Sequence, residues 1–274
     1  MWRHHGARRD ALLGRQSRAV EALIEGIGVT KAFGGLVAVS DVDMRVTPGQ
    51  TKALIGPNGA GKSTLLNLLT GTLRVSGGDI RVRGESIVGR SCYEVAALGI
   101  ARTFQNIQLF ENMTVLENVM VGCHAWTRQG LASAALRWIG HWREERGIFA
   151  ESIRCLEEVG LAGEADLDAG SLPFGKQRML EIARALASRP KLLLLDEPAS
   201  GLSTRETGEL STLLRKIVDG GVTVLLVDHD MQFIMEISDE VMVLDQGRKI
   251  AEGTPSEVQN DPHVIAAYLG TEAK

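Results

Sequence analysis

The sequence predicts an α/β fold, a mixed and largely parallel sheet interrupted by a helical insertion. Three observations predict it. Short apolar runs rich in β-branched residues alternate with helical patterns, the signature of strands joined by crossover helices. One run, Thr51–Ile55, leads into a glycine-rich loop and then a helical pattern over Lys62–Leu69. From Glu111 to Gly170 the strand signal vanishes, and a second alternating stretch follows it.

Two strands open the fold near Leu23–Val29 and Val37–Val46, followed by the buried strand Thr51–Ile55 and its helix. Asp79–Val82 reads as a strand before a turn at Gly84. Helical patterns then occupy Val115–Val121, Leu131–Trp142 and Phe149–Val159, separated by polar breaks. Strands return at Lys191–Leu195, Val222–Val227 and Val241–Leu244, with helices between them. Ser256–Asn260 and Pro262–Leu269 read as short closing helices. The expected division is a basic, disordered tail at 1–22, an α/β core at 23–104 and 172–250, a helical subdomain at 105–171, and a helical extension at 251–274. An insertion of about sixty residues carries function more often than connectivity.

Composition narrows the class. The chain has 274 residues, 44% hydrophobic and 23% charged, as soluble globular domains do. Thirty basic against 34 acidic residues leave a net charge of −4, which gives no overall attraction to nucleic acid or anionic lipid. No segment approaches the roughly 18 consecutive apolar residues of a membrane span. Arg3, Arg8, Arg9, Arg15 and Arg18 stand against Asp10 at the start, without the apolar stretch of an export signal. Cys92, Cys123 and Cys155 lie far apart, with no metal-ligand spacing, which suits a reducing compartment.

Gly56-Pro57-Asn58-Gly59-Ala60-Gly61-Lys62-Ser63 fits the phosphate-loop pattern GxxxxGK[ST] between a predicted strand and helix. The glycines let backbone N–H groups face phosphate oxygens. The helix start, through Thr64, adds unpaired N–H groups and a positive dipole end. Lys62 supplies a point charge for the β- and γ-phosphates, and Ser63 a hydroxyl for Mg²⁺. Leu192–Leu195 is a buried strand ending in Asp196-Glu197, and a parallel core strand ends at the ligand-binding edge of its sheet. Asp196 is then placed to hold Mg²⁺ through water, and Glu197 to orient and deprotonate an attacking water. His229, after strand Val222–Val227, could touch the γ-phosphate or that water, or be an ordinary strand-end residue. By chemistry alone this is a Mg²⁺-dependent nucleoside triphosphatase.

The ordered set resembles the ATP-binding subunit of ABC transporters, from about residue 23 to residue 270. Phe33, in Thr30-Lys31-Ala32-Phe33-Gly34, matches the family's adenine-stacking aromatic. Gln105, in Arg102-Thr103-Phe104-Gln105, matches the glutamine that contacts Mg²⁺ and water and senses the membrane partner. Leu172-Pro173-Phe174-Gly175-Lys176-Gln177-Arg178 stands where the LSGGQ signature belongs. Asp196-Glu197 and His229 match the acidic strand end and the switch histidine. The stretches Ala101–Asn106, Met113–Gly122 and Leu180–Leu186 resemble LivG-type ATPases of branched-chain amino-acid importers, with ATPases of urea and short-amide importers close by. Two positions depart from the family. Pro173 replaces the signature serine, leaving the backbone of Gly175 and the cation of Lys176 toward the opposite subunit's ATP. Ser203 stands where the family has an aspartate after Gly201-Leu202.

The resemblance implies a head-to-tail dimer with a second ABC ATPase subunit, identical or a sister, each ATP·Mg²⁺ held between one phosphate loop and the other signature. It also implies two membrane permease subunits, a solute-binding protein reached through them, no nucleic acid, and a place at the cytoplasmic face of the inner membrane. Trp126, Trp138 and Trp142, among Arg128, Arg137 and Arg143, read either as permease anchors or as packing inside the subdomain. Two other classes stay open: a soluble ABC ATPase of translation or DNA repair, which would carry two cassettes or a long coiled coil, and a metabolic phosphotransferase sharing only the phosphate loop.

Overall fold

The computed structural model describes residues 21–125 and 140–269. The chain opens with the antiparallel pair β1 (Ile24–Phe33) and β2 (Leu36–Val46), enters β3 (Thr51–Ile55), and turns into α1 (Lys62–Leu69). β4 (Gly77–Val82) and the short β5 (Glu85–Ser86) return to the first pair. They form an antiparallel sheet of order β2-β1-β4-β5. α2 (Cys92–Ala97) and β6 (Ile100–Arg102) follow, then α3 (Val115–Gly122), α4 (Gly140–Glu158) and α5 (Phe174–Leu186). The rest is β7 (Leu192–Asp196), α6 (Thr204–Asp219), β8 (Thr223–Val227), α7 (Met231–Ile237), β9 (Glu240–Asp245), β10 (Arg248–Gly253), α8 (Pro255–Gln259) and α9 (Pro262–Leu269).

The second sheet has the order β10-β9-β3-β8-β7-β6, parallel throughout except for the edge strand β10. Its central strands β3, β7 and β8 are buried along their whole length, which explains the apolar runs Ala53–Ile55, Leu192–Leu195 and Val224–Val227. Side chains alternate between two cores. Ile55, Leu193, Leu195, Leu226 and Val243 face a cluster shared with α3, α4 and α5. Leu54, Leu192, Leu194, Leu225 and Met242 face a second cluster, shared with α1 and the antiparallel sheet. Parallel pairing puts the carboxyl ends of β3, β6, β7 and β8 along one edge.

The fold class is the one read from the sequence, an α/β core with an inserted helical subdomain. Details differ. The expected break between Leu131–Trp142 and Phe149–Val159 is absent where the chain is described: α4 is continuous from Gly140. Glu145, Arg146 and Gly147 are its exposed side, whereas Ile148, Ser152, Cys155 and Leu156 bury one helical face. β10 runs to Gly253, so the closing helices begin at Pro255. Residues 1–20, 126–139 and 270–274 lie outside the described residues, and with them most of the basic tail, Leu131–Ile139, Trp126 and Trp138; the Trp142 side chain does too. Among the described residues no helix is long and apolar enough to cross a membrane.

Candidate nucleotide site

The loop between β3 and α1 is shaped for an anion. Gly56 has φ 148°, and a Cβ there would run into the Leu244 carbonyl oxygen. Gly61 has φ 101°, and a Cβ there would meet the Ala38 carbonyl oxygen, so only glycine lets the loop wrap this tightly. Gly61 is also the N-cap of α1 and offers no side-chain acceptor, and the first turn holds no acid. The N–H groups of Lys62, Ser63 and Thr64 therefore have no partner from their helix or its cap, which leaves them for a phosphate. Asn58, Gly59 and Ser63 are exposed, while Ala60 is buried and its N–H donates to the Pro57 carbonyl at 3.1 Å. Lys62 Nζ curls over the loop, donating to the carbonyls of Gly56 at 2.6 Å and Pro57 at 3.0 Å. Burial lowers its pKa, against the opposing pull of Glu197 and Asp196.

Beside the loop, β7 delivers its two acids differently. Asp196 is buried, and its Oδ2 accepts from Arg102 Nη2 at 2.8 Å; Arg102 Nη1 also donates to Asn67 of α1 at 2.6 Å. Glu197 has φ 48°, a left-handed conformation costly for a residue with a Cβ, and its N–H donates to the Val227 carbonyl at 2.7 Å. Gln105 Nε2 donates to Glu197 Oε2 at 3.0 Å. His229 Nδ1 lies 3.7 Å from the same oxygen and 3.7 Å from Asp228 Oδ1. Buried Asp228 fixes that corner, accepting from the N–H groups of His229, Asp230 and Ala199 at 2.7, 3.0 and 3.0 Å.

Gln105, Glu197 and His229 are thus brought together beside Lys62, from strand ends far apart in sequence. Phe33 and Gly175 have other surroundings. Phe33 is 46% exposed at the end of β1, with Lys31 Nζ 4.9 Å from its ring centre. Gly175 is buried in the first turn of α5, where a Cβ would strike the Glu206 carboxylate. Pro173 is the N-cap of α5 and contributes no side-chain bond. Lys176, read from sequence as a cation for the opposite ATP, pairs with Glu164. Ser203 caps α6, accepting from the Glu206 N–H, and Glu206 in turn accepts from the Ser203 N–H.

The donor set fits Mg²⁺. Among the described residues no three His, Cys, Asp or Glu side chains gather as a metal cage. A hard cation at this edge would rest on the Ser63 hydroxyl, the Gln105 amide oxygen, Asp196 through water, and phosphate oxygens, as Mg²⁺ tolerates. Sequence reasoning missed Arg102, whose reach to Asp196 depends on β6 pairing with β7, and Tyr268. The Tyr268 hydroxyl is hydrogen-bonded to the backbone of Gly56, and burial pushes its pKa up. Arg102 stands in the stretch that carries Gln105, but nothing in that stretch points to Asp196, and Tyr268 belongs to no motif.

A family model described as ABC transporter matches residues 39–200, and one described as branched-chain amino acid ATP-binding cassette transporter matches residues 248–274. The chain is 44% identical over 249 residues to the high-affinity branched-chain amino acid transport ATP-binding protein BraF of Pseudomonas aeruginosa, across 90% of this chain and 98% of that one. It is 42% identical over 244 residues to LivG of Escherichia coli, with 89% and 96% covered. A nucleotide-free ATP-binding cassette from an ABC transporter superposes with a TM-score of 0.79 at 30% identity, covering 90% and 98% of the two chains. The ADP conformation of MJ1267, an ATP-binding cassette of an ABC transporter, gives 0.80 at 31%, covering 91% and 99%. With these likenesses spanning both sheets and the phosphate loop, the chain belongs to the ABC transporter family as an ATP-binding subunit.

Proposed function

We propose that this subunit hydrolyses ATP to drive import of branched-chain amino acids, docked on two permease subunits at the cytoplasmic face of the inner membrane. The observation that carries hydrolysis is the bond from Gln105 to Glu197 beside Lys62. The matches to BraF and LivG across most of both chains support the substrate class.

In this reading the phosphate loop and the start of α1 hold the triphosphate, with Lys62 leaving the carbonyls of Gly56 and Pro57 for the β- and γ-phosphates. Mg²⁺, when bound, neutralises charge on the phosphate oxygens, held by Ser63, Gln105 and Asp196 through water. Phe33 stacks on the adenine. Glu197 accepts the proton of a water oriented by Gln105, and His229 steadies the γ-phosphate side. Gly175 meets the ATP of the opposite subunit, so the working unit is a head-to-tail dimer, with itself or with a sister ATPase. The permease takes the groove of about 570 Å³ lined by Val95, Phe104, Phe110 and Val121. Its two phenylalanines are 48% and 49% exposed, an apolar surface for a partner to cover.

The test is the Glu197→Gln variant with ATP·Mg²⁺, purified from gently solubilised membranes. Turnover should fall by about 10²–10⁴-fold, with ATP retained in a stable dimer that brings permease and a second ATPase with it. Uptake of labelled leucine by cells carrying the wild-type complex completes the test. Undiminished turnover removes Glu197 from its role, ribosomes or nucleic acid in place of permease point to a soluble ATPase, and uptake of urea instead of leucine reassigns the cargo.

A further inference from the structure

Charged side chains seldom sit on the inner face of a helix, yet α5 carries two there. Arg178 is 1% exposed and Glu181 2%. They pair, Arg178 Nη1 to Glu181 Oε2, at 2.9 Å. Burying two charges costs free energy that their mutual attraction often fails to offset, so their other bonds decide what they are for.

Those bonds converge on one distant segment. Arg178 Nη1 donates to the Phe104 carbonyl and Nη2 to the Gln105 carbonyl, each at 2.9 Å. The Phe104 N–H donates to Glu181 Oε1 at 3.2 Å. Phe104 and Gln105 follow β6 outside any strand or helix, so no ladder satisfies their backbone groups. The pair on α5 satisfies three of them. Beyond this grip, the Gln105 side chain reaches Glu197 at 3.0 Å. One turn toward the start of α5 lies Gly175, and the Arg178 guanidinium is 5.9 Å from the ring centre of Phe174. The signature turn and the grip on Gln105 are thus successive turns of a single helix.

We propose that Arg178 and Glu181 are positioning residues that tether Gln105 to α5, so that Gln105 meets Glu197 only in the orientation of α5 seen here. A shift of the signature helix then carries the glutamine with it. The planar guanidinium suits this task, because its fixed fork holds two carbonyls at once, which an ammonium on a flexible stem does not. The proposal rests on the reading of Gln105 and Glu197 as parts of the hydrolytic site.

The test compares Glu181→Gln, Arg178→Lys and the apolar double variant Arg178→Met/Glu181→Leu with wild type, and uses Gln105→Ala as a control. Four quantities are read on the full chain: ATP affinity by calorimetry, turnover against ATP concentration, the melting midpoint, and amide exchange in the peptide containing Phe104. The tether predicts ATP affinity within twofold, turnover down at least tenfold at unchanged KM, and faster exchange at Phe104. The double variant should melt at or above wild type while hydrolysing slowly. A pair that serves stability alone gives the opposite result, a lower midpoint with turnover per folded molecule kept, and overturns the proposal. If Gln105→Ala slows hydrolysis and the pair variants do not, the tether is wrong. If Gln105→Ala leaves hydrolysis unchanged, the site reading beneath it fails instead. Should the double variant not fold, Glu181→Gln, which keeps the shape, decides between the same outcomes.

Discussion

Phe33 ends β1 with nearly half of its ring open to solvent, an arrangement that makes sense for a side chain awaiting a flat partner. Phe33→Ala should weaken ATP binding by about 0.5–1.5 kcal/mol, roughly 2–13-fold, while inorganic triphosphate binds as before. Calorimetry with both ligands checks this, and an equal loss for triphosphate would remove the ring from base recognition. Arg102 bears on the buried Asp196. Arg102→Leu should destabilise the ligand-free protein by about 3–5 kcal/mol, since it leaves a buried carboxylate without its countercharge. Adding Asp196→Asn should recover part of that loss in urea unfolding, whereas simple additivity would mean the two do not interact. Glu197 is a site residue with a Cβ that is nonetheless held left-handed, between Asp196 and Pro198. Such strain is found where a function over-determines geometry.

The elements of the sheet hold together partly through a buried cation at its far end. Lys52 of β3 is 1% exposed and pairs with Glu240 of β9, 2.9 Å away, and with Glu252 of β10. Burial pushes the Glu252 carboxyl up, but hydrogen bonds from Lys249 and Lys52 outweigh it and hold the pKa below the usual 4.5. A carboxyl with a depressed folded pKa stabilises above its unfolded value and loses that contribution as pH falls through the folded one. Glu252→Gln should therefore cost about 1–3 kcal/mol at pH 7, with the gap from wild type closing as the pH drops below 4.5. Denaturant titrations at pH 7 and pH 3 read the difference, and a gap independent of pH would contradict it. β10 also marks the limit of the sequence reading. Arg248-Lys249-Ile250-Ala251-Glu252-Gly253 has no apolar β-branched run, because an edge strand half open to water needs none. β3, β7 and β8 were legible for the opposite reason, being buried on both faces. The phosphate loop was legible because its chemistry is local. Arg102, Arg178 and Glu181 were not, because each acts across the gap between β6 and a partner that only the folded chain supplies.

For the molecule as a whole, the decisive feature is that, among the described residues, the buried apolar side chains of the insertion belong to the core of the parallel sheet. Val115, Val119, Cys123, Cys155 and Leu156 belong to the same cluster as Leu193, Leu195 and Leu226 of the parallel sheet, with Leu180, Ile182, Ala183 and Leu186 of α5 between them. Scanning calorimetry of the full chain should show a single heat-absorption peak, because melting either part strips the other of its packing. Two separated peaks would refute that. Residues 105–171 expressed alone should give no cooperative transition at all. The cluster reaches further than stability, since a subdomain that shares its interior with the sheet cannot swing away as a free body. Any displacement of the insertion must drag α5 along, so a push on one is felt by the other through the packing they share.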